Sequence, residues 1–128
     1  VLSQLKRVIR TNYSNPPTHG GTVVATVLND PALFAEWDAE LAGMRDRIRT
    51  MRKQLVEKIK AAGATQDFSF VLKQRGMFSF SGLTADQVER LREEHAIYAI
   101  STGRICVAAL NSQNIDAVAK AIAAVLKA

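Results

Sequence analysis

Hydrophobic residues recur with helical spacing in the opening segment of the chain. They follow an i, i+4, i+7, i+8 rhythm, which predicts a helix already under way at the first residue: Val1, Leu5, Val8 and Ile9. Residues 12–21 are rich in Asn, Ser, Pro and Gly and are expected to end this helix. The next stretch, residues 22–28, is apolar and β-branched. It fits either a strand or a short buried helix, and its flanking residues slightly favour the helix.

A much longer helical pattern follows Asp30 and Pro31. This pair favours a helix start. The aspartate side chain can cap the helix, and proline lacks only a backbone N–H that would have no partner within the helix at its first position. Hydrophobic residues then recur every three or four positions: Leu33, Trp37, Leu41, Met44, Ile48, Met51, Leu55 and Ile59. Gly63 supplies a left-handed stop. A helix over residues 33–62 would be about 45 Å long, which exceeds the roughly 36 Å diameter of a compact domain of this length. Another part of a larger protein, or a partner subunit, is therefore expected to cover its apolar stripe.

After Gly63 the pattern changes to short segments separated by turn residues. Alternation of polar and apolar residues predicts strands, because successive side chains of a strand point to opposite faces. Four segments are predicted as strands: residues 67–73, 77–81, 97–101 and 104–110. In the first of them, Phe68, Phe70 and Leu72 share one face.

Two helices complete this region. Thr84 and Gln87 form a capping box, and the helix that they open should end near His95. Ser112 is expected to cap the last helix, whose inward-facing residues are Ile115, Val118, Ile122 and Val125. The order β-β-α-β-β-α describes a small two-layer α+β domain preceded by the long helix, with helices against one side of a sheet.

Composition narrows the class of protein. The chain has 128 residues, of which 48% are hydrophobic and 23% are charged. This length and composition are typical of a single globular domain and not of a disordered segment. No window approaches 18 uninterrupted apolar residues, so we expect no membrane association. The single cysteine fits a reducing cytoplasm, and a net charge of +5 does not establish a nucleic-acid partner.

The first residues of the chain lack a charged region before an apolar core, so we expect no signal peptide. Its uncapped helix predicts either an artificial boundary or a piece cut from a longer polypeptide.

Few residues suggest a metal site, a nucleophile or a phosphate loop. The basic run at residues 45–53 has acidic residues nearby, at positions 38, 40, 46 and 57, and lacks aromatics, which favours a solvated helix face over a nucleic-acid surface. His19, His95 and Cys106 have no metal-ligand spacing. Gly20 and its neighbour Gly21 lack the other residues of a phosphate loop.

Two arginines remain as candidate binding residues. Arg104 opens an apolar strand directly after a tight turn, so its fork could grip a carboxylate with two hydrogen bonds. An edge arginine that reaches for water is the more common reading of that spacing. Arg10 lies near a helix end, where the helix dipole alone can account for a cation. If it faces a cleft instead, the two arginines would form a dianion-binding surface.

Four motifs give the chain a resemblance to a known family. They are Arg10–Pro17, Arg75–Leu83, Gln87–Arg92 and Ser101–Ile105. Together they resemble the C-terminal part of the class I pyridoxal-phosphate aminotransferases of the aspartate and aromatic amino-acid subgroup, over Val1 to about Leu126. Residues 1–6 and 104–108 look closer to the bacterial aromatic (tyrosine) branch than to the strict aspartate branch.

The resemblance implies an organisation. The chain would be part of an α/β enzyme of PLP fold type I. Residues 1–30 would be a remnant of the large cofactor domain and of an intersubunit loop. Residues 31–62 would form the long interdomain helix, and residues 63–128 the C-terminal small domain, which in the family closes over substrate.

The resemblance also implies roles for residues. Arg104 matches the arginine that holds the substrate α-carboxylate, and Phe78 matches an aromatic residue of the same pocket. Arg10 matches the arginine that reaches into the neighbouring subunit to meet the distal carboxylate of a dicarboxylic substrate. Ser14 lies in the same intersubunit loop. The implied protein is a cytoplasmic homodimer that transfers amino groups between aromatic or dicarboxylic amino acids and 2-oxo acids such as 2-oxoglutarate.

The cofactor implied is pyridoxal 5'-phosphate, whose Schiff-base lysine in the family lies upstream of the segment that matches Val1. We therefore expect this chain alone to bind no cofactor and to have no catalytic residue. The competing interpretation is a non-enzymatic module that self-associates or docks on a partner through the exposed apolar stripe of the long helix.

Overall fold

The computed structural model describes residues 1–127 and divides into two compact units. The first unit is Val1–Leu41 and the second begins at Ala42. Helices account for most of the described residues, and the sheet has two short strands. Within residues 1–127, no helix is both long enough and apolar enough to cross a membrane.

The first unit consists of two helices and the start of a third. Helix α1 spans Leu2–Asn12, α2 spans Thr18–Asn29 and α3 begins at Pro31. The stretch at residues 22–28 is therefore helical, as its flanking residues favoured. Asp30 caps α3 as expected, because its Oδ1 accepts the backbone N–H groups of Ala32 at 2.8 Å and Leu33 at 3.1 Å. Neither α1 nor α2 has a buried residue.

Helix α3 spans Pro31–Ala61, close to the predicted long helix. Its C-terminal half contributes Met51, Leu55 and Ile59 to the hydrophobic core of the second unit. The chain leaves the helix through Gly63, whose φ of +86° is the left-handed conformation that favours glycine. Two further helices contribute to the same core, α5 (Ala85–His95) and α6 (Ile115–Leu126).

The sheet is an antiparallel pair of three-residue strands, β1 (Phe78–Phe80) and β2 (Arg104–Cys106). The register pairs Phe78 with Cys106, Ser79 with Ile105, and Phe80 with Arg104. The strand predicted at residues 77–81 is thus confirmed at its centre. The strand predicted at residues 104–110 is right only for its first three residues, because the backbone then turns into a short 3-10 helix at Val107–Ala109.

The strand predicted at residues 67–73 is wrong. The Asp67 carboxylate accepts the Ser69 N–H at 2.8 Å and the Ser69 hydroxyl at 2.6 Å, and this local turn leads into helix α4 (Phe70–Lys73). The buried side chains are Phe68 and Val71, which have helical spacing, whereas Leu72 is exposed. The apparent alternation therefore does not reflect the face that packs in the core.

The strand predicted at residues 97–101 is also wrong. Ala96 adopts a left-handed φ of +54° at the end of α5, and the Ile97 N–H bonds back to the Leu91 carbonyl at 3.0 Å. The Ile100 carbonyl accepts the Gly103 N–H at 2.8 Å. These backbone groups are satisfied locally, so residues 1–127 contain two strands rather than the four predicted, and the order β-β-α-β-β-α is not observed.

The two predicted helix caps differ in outcome. The capping box of α5 is confirmed, since Thr84 Oγ1 accepts the Gln87 N–H at 3.2 Å and Gln87 Oε1 accepts the Thr84 N–H at 3.0 Å. Ser112 does not cap α6. The N-cap residue of α6 is Asn114, and no side chain makes a cap hydrogen bond there. The Asn111 side chain instead holds the turn before the helix, where it accepts the N–H groups of Gln113 at 2.9 Å and Asn114 at 3.1 Å.

Candidate functional site

The sheet brings Arg104 and Phe78 together, two of the four residues selected from the sequence. They are diagonal neighbours on one face of the antiparallel pair, a separation that long and aromatic side chains can bridge. The guanidinium carbon of Arg104 lies 4.9 Å from the centre of the Phe78 ring. A cation over an aromatic face at this distance is attracted by the ring quadrupole, which restricts the guanidinium to one side of the strand.

A cavity of about 440 Å³ adjoins this pair. Its lining is largely apolar, and Arg104 is its only charged residue among those described; the lining includes Phe78, Ile97, Ile105, Cys106 and Asn114. No carboxylate of residues 1–127 forms an ion pair with Arg104. An arginine that lines an apolar cavity of this size is suited to bind a small organic carboxylate.

The turn before Arg104 is held tightly. The Gly103 carbonyl accepts both the Ser81 N–H at 2.9 Å and the Ser81 hydroxyl at 2.7 Å. Gly103 has a φ of +81°, and a Cβ atom added there would lie 2.8 Å from the Leu83 carbonyl oxygen. Only glycine therefore fits at this position, and the backbone that carries Arg104 has little freedom.

Gly103→Ala should accordingly destabilise the chain more than Gly76→Ala. Both glycines have a φ of +81°, but a Cβ atom at Gly76 would meet nothing within 4 Å. Gly76→Ala should cost about 1 kcal/mol for its left-handed backbone, and Gly103→Ala roughly 2 kcal/mol more for the steric overlap. Urea unfolding followed by circular dichroism measures the difference, and equal costs would contradict the tight packing at Gly103.

Arg52 is a residue that the sequence analysis missed. The basic run containing it was interpreted as a solvated helix face, which holds for exposed members such as Arg45 and Arg49 but not for Arg52, which is 5% exposed. Burial lowers the pKa of the Arg52 guanidinium, and the nearby charge of Arg75 lowers it further. The signal in the sequence was its position, because residues 48, 52, 55 and 59 follow the apolar stripe of α3.

A second arginine of α3 contacts the segment after β2. Arg47 donates from Nη1 to the Leu110 carbonyl at 2.9 Å and from Nη2 to the Ala108 carbonyl at 2.7 Å. These bonds tie the end of the Arg104 strand to the helix.

The other two selected residues lie in the first unit. Arg10 is exposed in the last turn of α1, and Ser14 follows that helix with a left-handed φ of +58°. The N–H groups of Tyr13 and Ser14 both donate to the Ile9 carbonyl, at 2.9 Å and 3.2 Å. A non-glycine residue in this conformation carries a strain of about 1–2 kcal/mol. The contacts of the loop therefore hold Ser14 in a backbone conformation that serine does not favour by itself.

Comparison with known proteins finds relatives that match nearly the whole chain. A family model described as aminotransferase class I and II matches residues 1–122. The chain is 68% identical over 126 residues to an aspartate aminotransferase of Pseudomonas aeruginosa, covering 98% of this chain and 32% of that protein. It is 54% identical over 126 residues to an aromatic-amino-acid aminotransferase of Escherichia coli, again covering 98% and 32%.

A solved structure of an aminotransferase also matches the chain. The crystal structure of an aromatic-amino-acid aminotransferase from Burkholderia pseudomallei, covalently bound to pyridoxal phosphate, matches with a TM-score of 0.93 and 72% identity, over 98% of this chain and 31% of that chain. Aspartate and aromatic relatives are therefore both highly identical to the chain, at 68% for the Pseudomonas protein and 72% for the Burkholderia protein. The chain spans about a third of the length of these relatives.

Proposed function

The chain belongs to the aminotransferase class I and II family, and on that premise we propose that it is a segment of an amino-acid aminotransferase. The full-length enzyme would move an amino group between aromatic or dicarboxylic amino acids and 2-oxo acids such as 2-oxoglutarate. The observation that carries the proposal is the Arg104 guanidinium, which lies over Phe78 at an apolar cavity without a carboxylate partner in residues 1–127.

Arg104 is proposed to bind the α-carboxylate that all these substrates share. Two parallel hydrogen bonds from the guanidinium would fix the plane of the carboxylate, and their charge assistance makes them stronger than neutral bonds. The Phe78 ring holds the other face of the guanidinium and helps to exclude water from the pair. Both residues orient substrate, and the reaction itself depends on a cofactor held by other parts of the full-length protein.

Arg10 and Ser14 are proposed to serve the neighbouring subunit of a homodimer. Arg10 would meet the distal carboxylate of aspartate or glutamate there, and the strained Ser14 loop would hold it at the intersubunit surface. The exposed position of both residues after α1 supports this assignment, since neither is used by the core of its own unit.

The proposed organisation assigns residues 1–30 to the large domain, residues 31–62 to the interdomain helix and residues 63–128 to the small domain. Support comes from large side chains in the N-terminal part of α3, where Leu33, Phe34 and Trp37 are all more than a third exposed. Coverage by the rest of a longer protein accounts for this apolar surface without a second function as a self-associating module. We also propose a cytoplasmic location, which is consistent with the free thiol of Cys106.

Residues 1–127 do not provide a site for the cofactor that the family implies, pyridoxal 5'-phosphate. A Schiff-base lysine must be desolvated beside the substrate, and no described lysine lines the cavity at Arg104. Lys58 pairs with Asp116 at 2.5 Å, and Lys127 donates to the Ala62 carbonyl at 3.0 Å. The lysine that binds the cofactor is therefore proposed to lie in another part of the full-length protein.

The isolated chain should accordingly not bind pyridoxal phosphate stoichiometrically. Exposed lysines react reversibly with the free aldehyde, so the chain should give the same weak absorbance as an equal number of free lysine side chains. Absorbance spectroscopy after dialysis measures the retained cofactor, with the urea-unfolded chain as the control. A band that survives dialysis at one cofactor per chain, and disappears on unfolding, would contradict the assignment.

A further inference from the structure

We propose that Arg52 is a positioning residue that holds Phe78 and Arg104 in the arrangement that binds the substrate carboxylate. The inference rests on the proposed function, because it concerns the same binding site. Arg52 lies on α3, is buried and does not line the cavity beside Arg104. It would act through strand β1 and not by contact with substrate.

The hydrogen bonds of Arg52 hold β1 from one side. Its Nη1 donates to the Ser79 hydroxyl and, at 3.3 Å, to the Val71 carbonyl, and its Nη2 donates to the Gly76 carbonyl at 2.6 Å. Ser79 is the central residue of β1, and Gly76 forms the turn before it. One guanidinium therefore fixes both the entry of the strand and the direction in which its inner face points.

Strand geometry transmits this constraint to Phe78. Successive side chains of a strand point to opposite faces, so fixing Ser79 inward directs its neighbour Phe78 outward. The burial pattern agrees, since Ser79 is 3% exposed and Phe78 is 46% exposed. Without Arg52, the rotation of β1 would depend mainly on its single partner strand and on Gln74, which bonds the Phe80 backbone at 2.9 and 3.0 Å.

The ladder between the strands transmits the constraint to Arg104. Ser79 pairs with Ile105, the residue directly after Arg104, and Phe80 pairs with Arg104 itself. A shift of β1 would therefore move the Phe78 ring and the Arg104 backbone relative to each other. Displacements of about 1 Å in such positioning elements can reduce activity by as much as about a hundredfold.

The electrostatic setting of Arg52 favours a positioning role over simple stabilisation. No carboxylate of residues 1–127 pairs with it, so a buried cation is held by neutral oxygen atoms. Well-packed apolar residues often stabilise a core as well as buried charges do. An arginine adds the directional fork, which can bond the turn at Gly76 and the strand at Ser79 at the same time.

The test compares Arg52→Lys, Arg52→Met and Ser79→Ala in the full-length protein that contains this sequence. Steady-state kinetics compares phenylalanine with its α-amide, which has no charge at the group that Arg104 would bind. Calorimetry measures the dissociation constant of phenylpropionate. We expect Arg52→Lys and Ser79→Ala each to raise two quantities by about tenfold, the KM for phenylalanine and the dissociation constant of phenylpropionate. The kcat/KM of the amide should change by less than about threefold. Arg49→Lys, on the exposed face of the same helix, should behave as wild type.

The outcomes separate the inference from the proposed function. Equal losses for phenylalanine and its amide, or wild-type behaviour of both Arg52→Lys and Ser79→Ala, would overturn the positioning role. Wild-type protein that transaminates neither phenylalanine nor aspartate would instead overturn the proposed function. If Arg52→Met does not fold, the lysine and Ser79→Ala variants decide the question, since each retains part of the hydrogen-bond network.

Discussion

Replacing Arg104 with alanine in the full-length protein is expected to lower kcat/KM for every amino-acid and 2-oxo-acid substrate by about a thousandfold. The expectation follows from the loss of two charge-assisted hydrogen bonds to the α-carboxylate, each worth about 1.5–3 kcal/mol. A combined loss of about 4 kcal/mol corresponds to that factor, at tenfold for each 1.4 kcal/mol. Aspartate, glutamate, tyrosine and phenylalanine should suffer alike, because all of them carry the group that Arg104 is proposed to hold.

Two further variants define what the Arg104 experiment measures. Arg104→Lys keeps the charge but not the planar fork, so it should recover only a small part of the lost activity. Arg92→Ala removes an exposed arginine of α5 that pairs with Glu89, and it should leave kcat/KM unchanged. Steady-state kinetics with all four amino acids is the measurement. A loss confined to either the dicarboxylic or the aromatic substrates would contradict the assignment of Arg104 to the shared carboxylate.

Arg10→Ala should have a selective effect of about a hundredfold. If Arg10 meets the distal carboxylate, its removal leaves that charge without a partner in the closed site, at a cost of about 3 kcal/mol. The kcat/KM for aspartate and glutamate should fall by this factor, while tyrosine and phenylalanine, which lack a distal carboxylate, should change little.

The control for Arg10 lies on the same helix. Arg7 is an exposed arginine one turn earlier, and Arg7→Ala changes the net charge in the same way without touching the proposed ligand. It should leave the ratio between dicarboxylic and aromatic substrates as in wild type. Equal losses for both substrate classes in the Arg10 variant would show that it acts on the fold or the dimer rather than on the distal carboxylate.

The sequence predicted those helices whose signals are local and repeated. The pattern of α3 recurs over its whole length, and Asp30 caps it with its own side chain, so neither depends on distant residues. The strands were less predictable because their partners lie elsewhere in the chain. Residues 67–73 alternate like a strand, but the turn between Asp67 and Ser69 directs them into a helix.

The candidate site was predictable only where its signals are local in the sequence. Arg104 was selected because the glycine turn before it is visible in the sequence. Its contact with Phe78 depends on the register of a strand pair whose members lie far apart along the chain. Arg52 was missed because its partners are 19 to 27 residues away and because its neighbours in the sequence are charged and exposed. Only its place on the apolar stripe distinguished it from the solvated arginines.

Recognition of the α-carboxylate by the Arg104 guanidinium is tested most directly by one ratio of kcat/KM values. In the wild-type full-length protein, kcat/KM for phenylalanine should exceed that for phenylalanine α-amide, since only the acid offers Arg104 a charged, two-oxygen partner. In Arg104→Ala this ratio should fall by about a hundredfold or more, because the acid loses a charged pair of hydrogen bonds that the amide does not form. An unchanged ratio, with acid and amide declining together, would show that the carboxylate is held elsewhere.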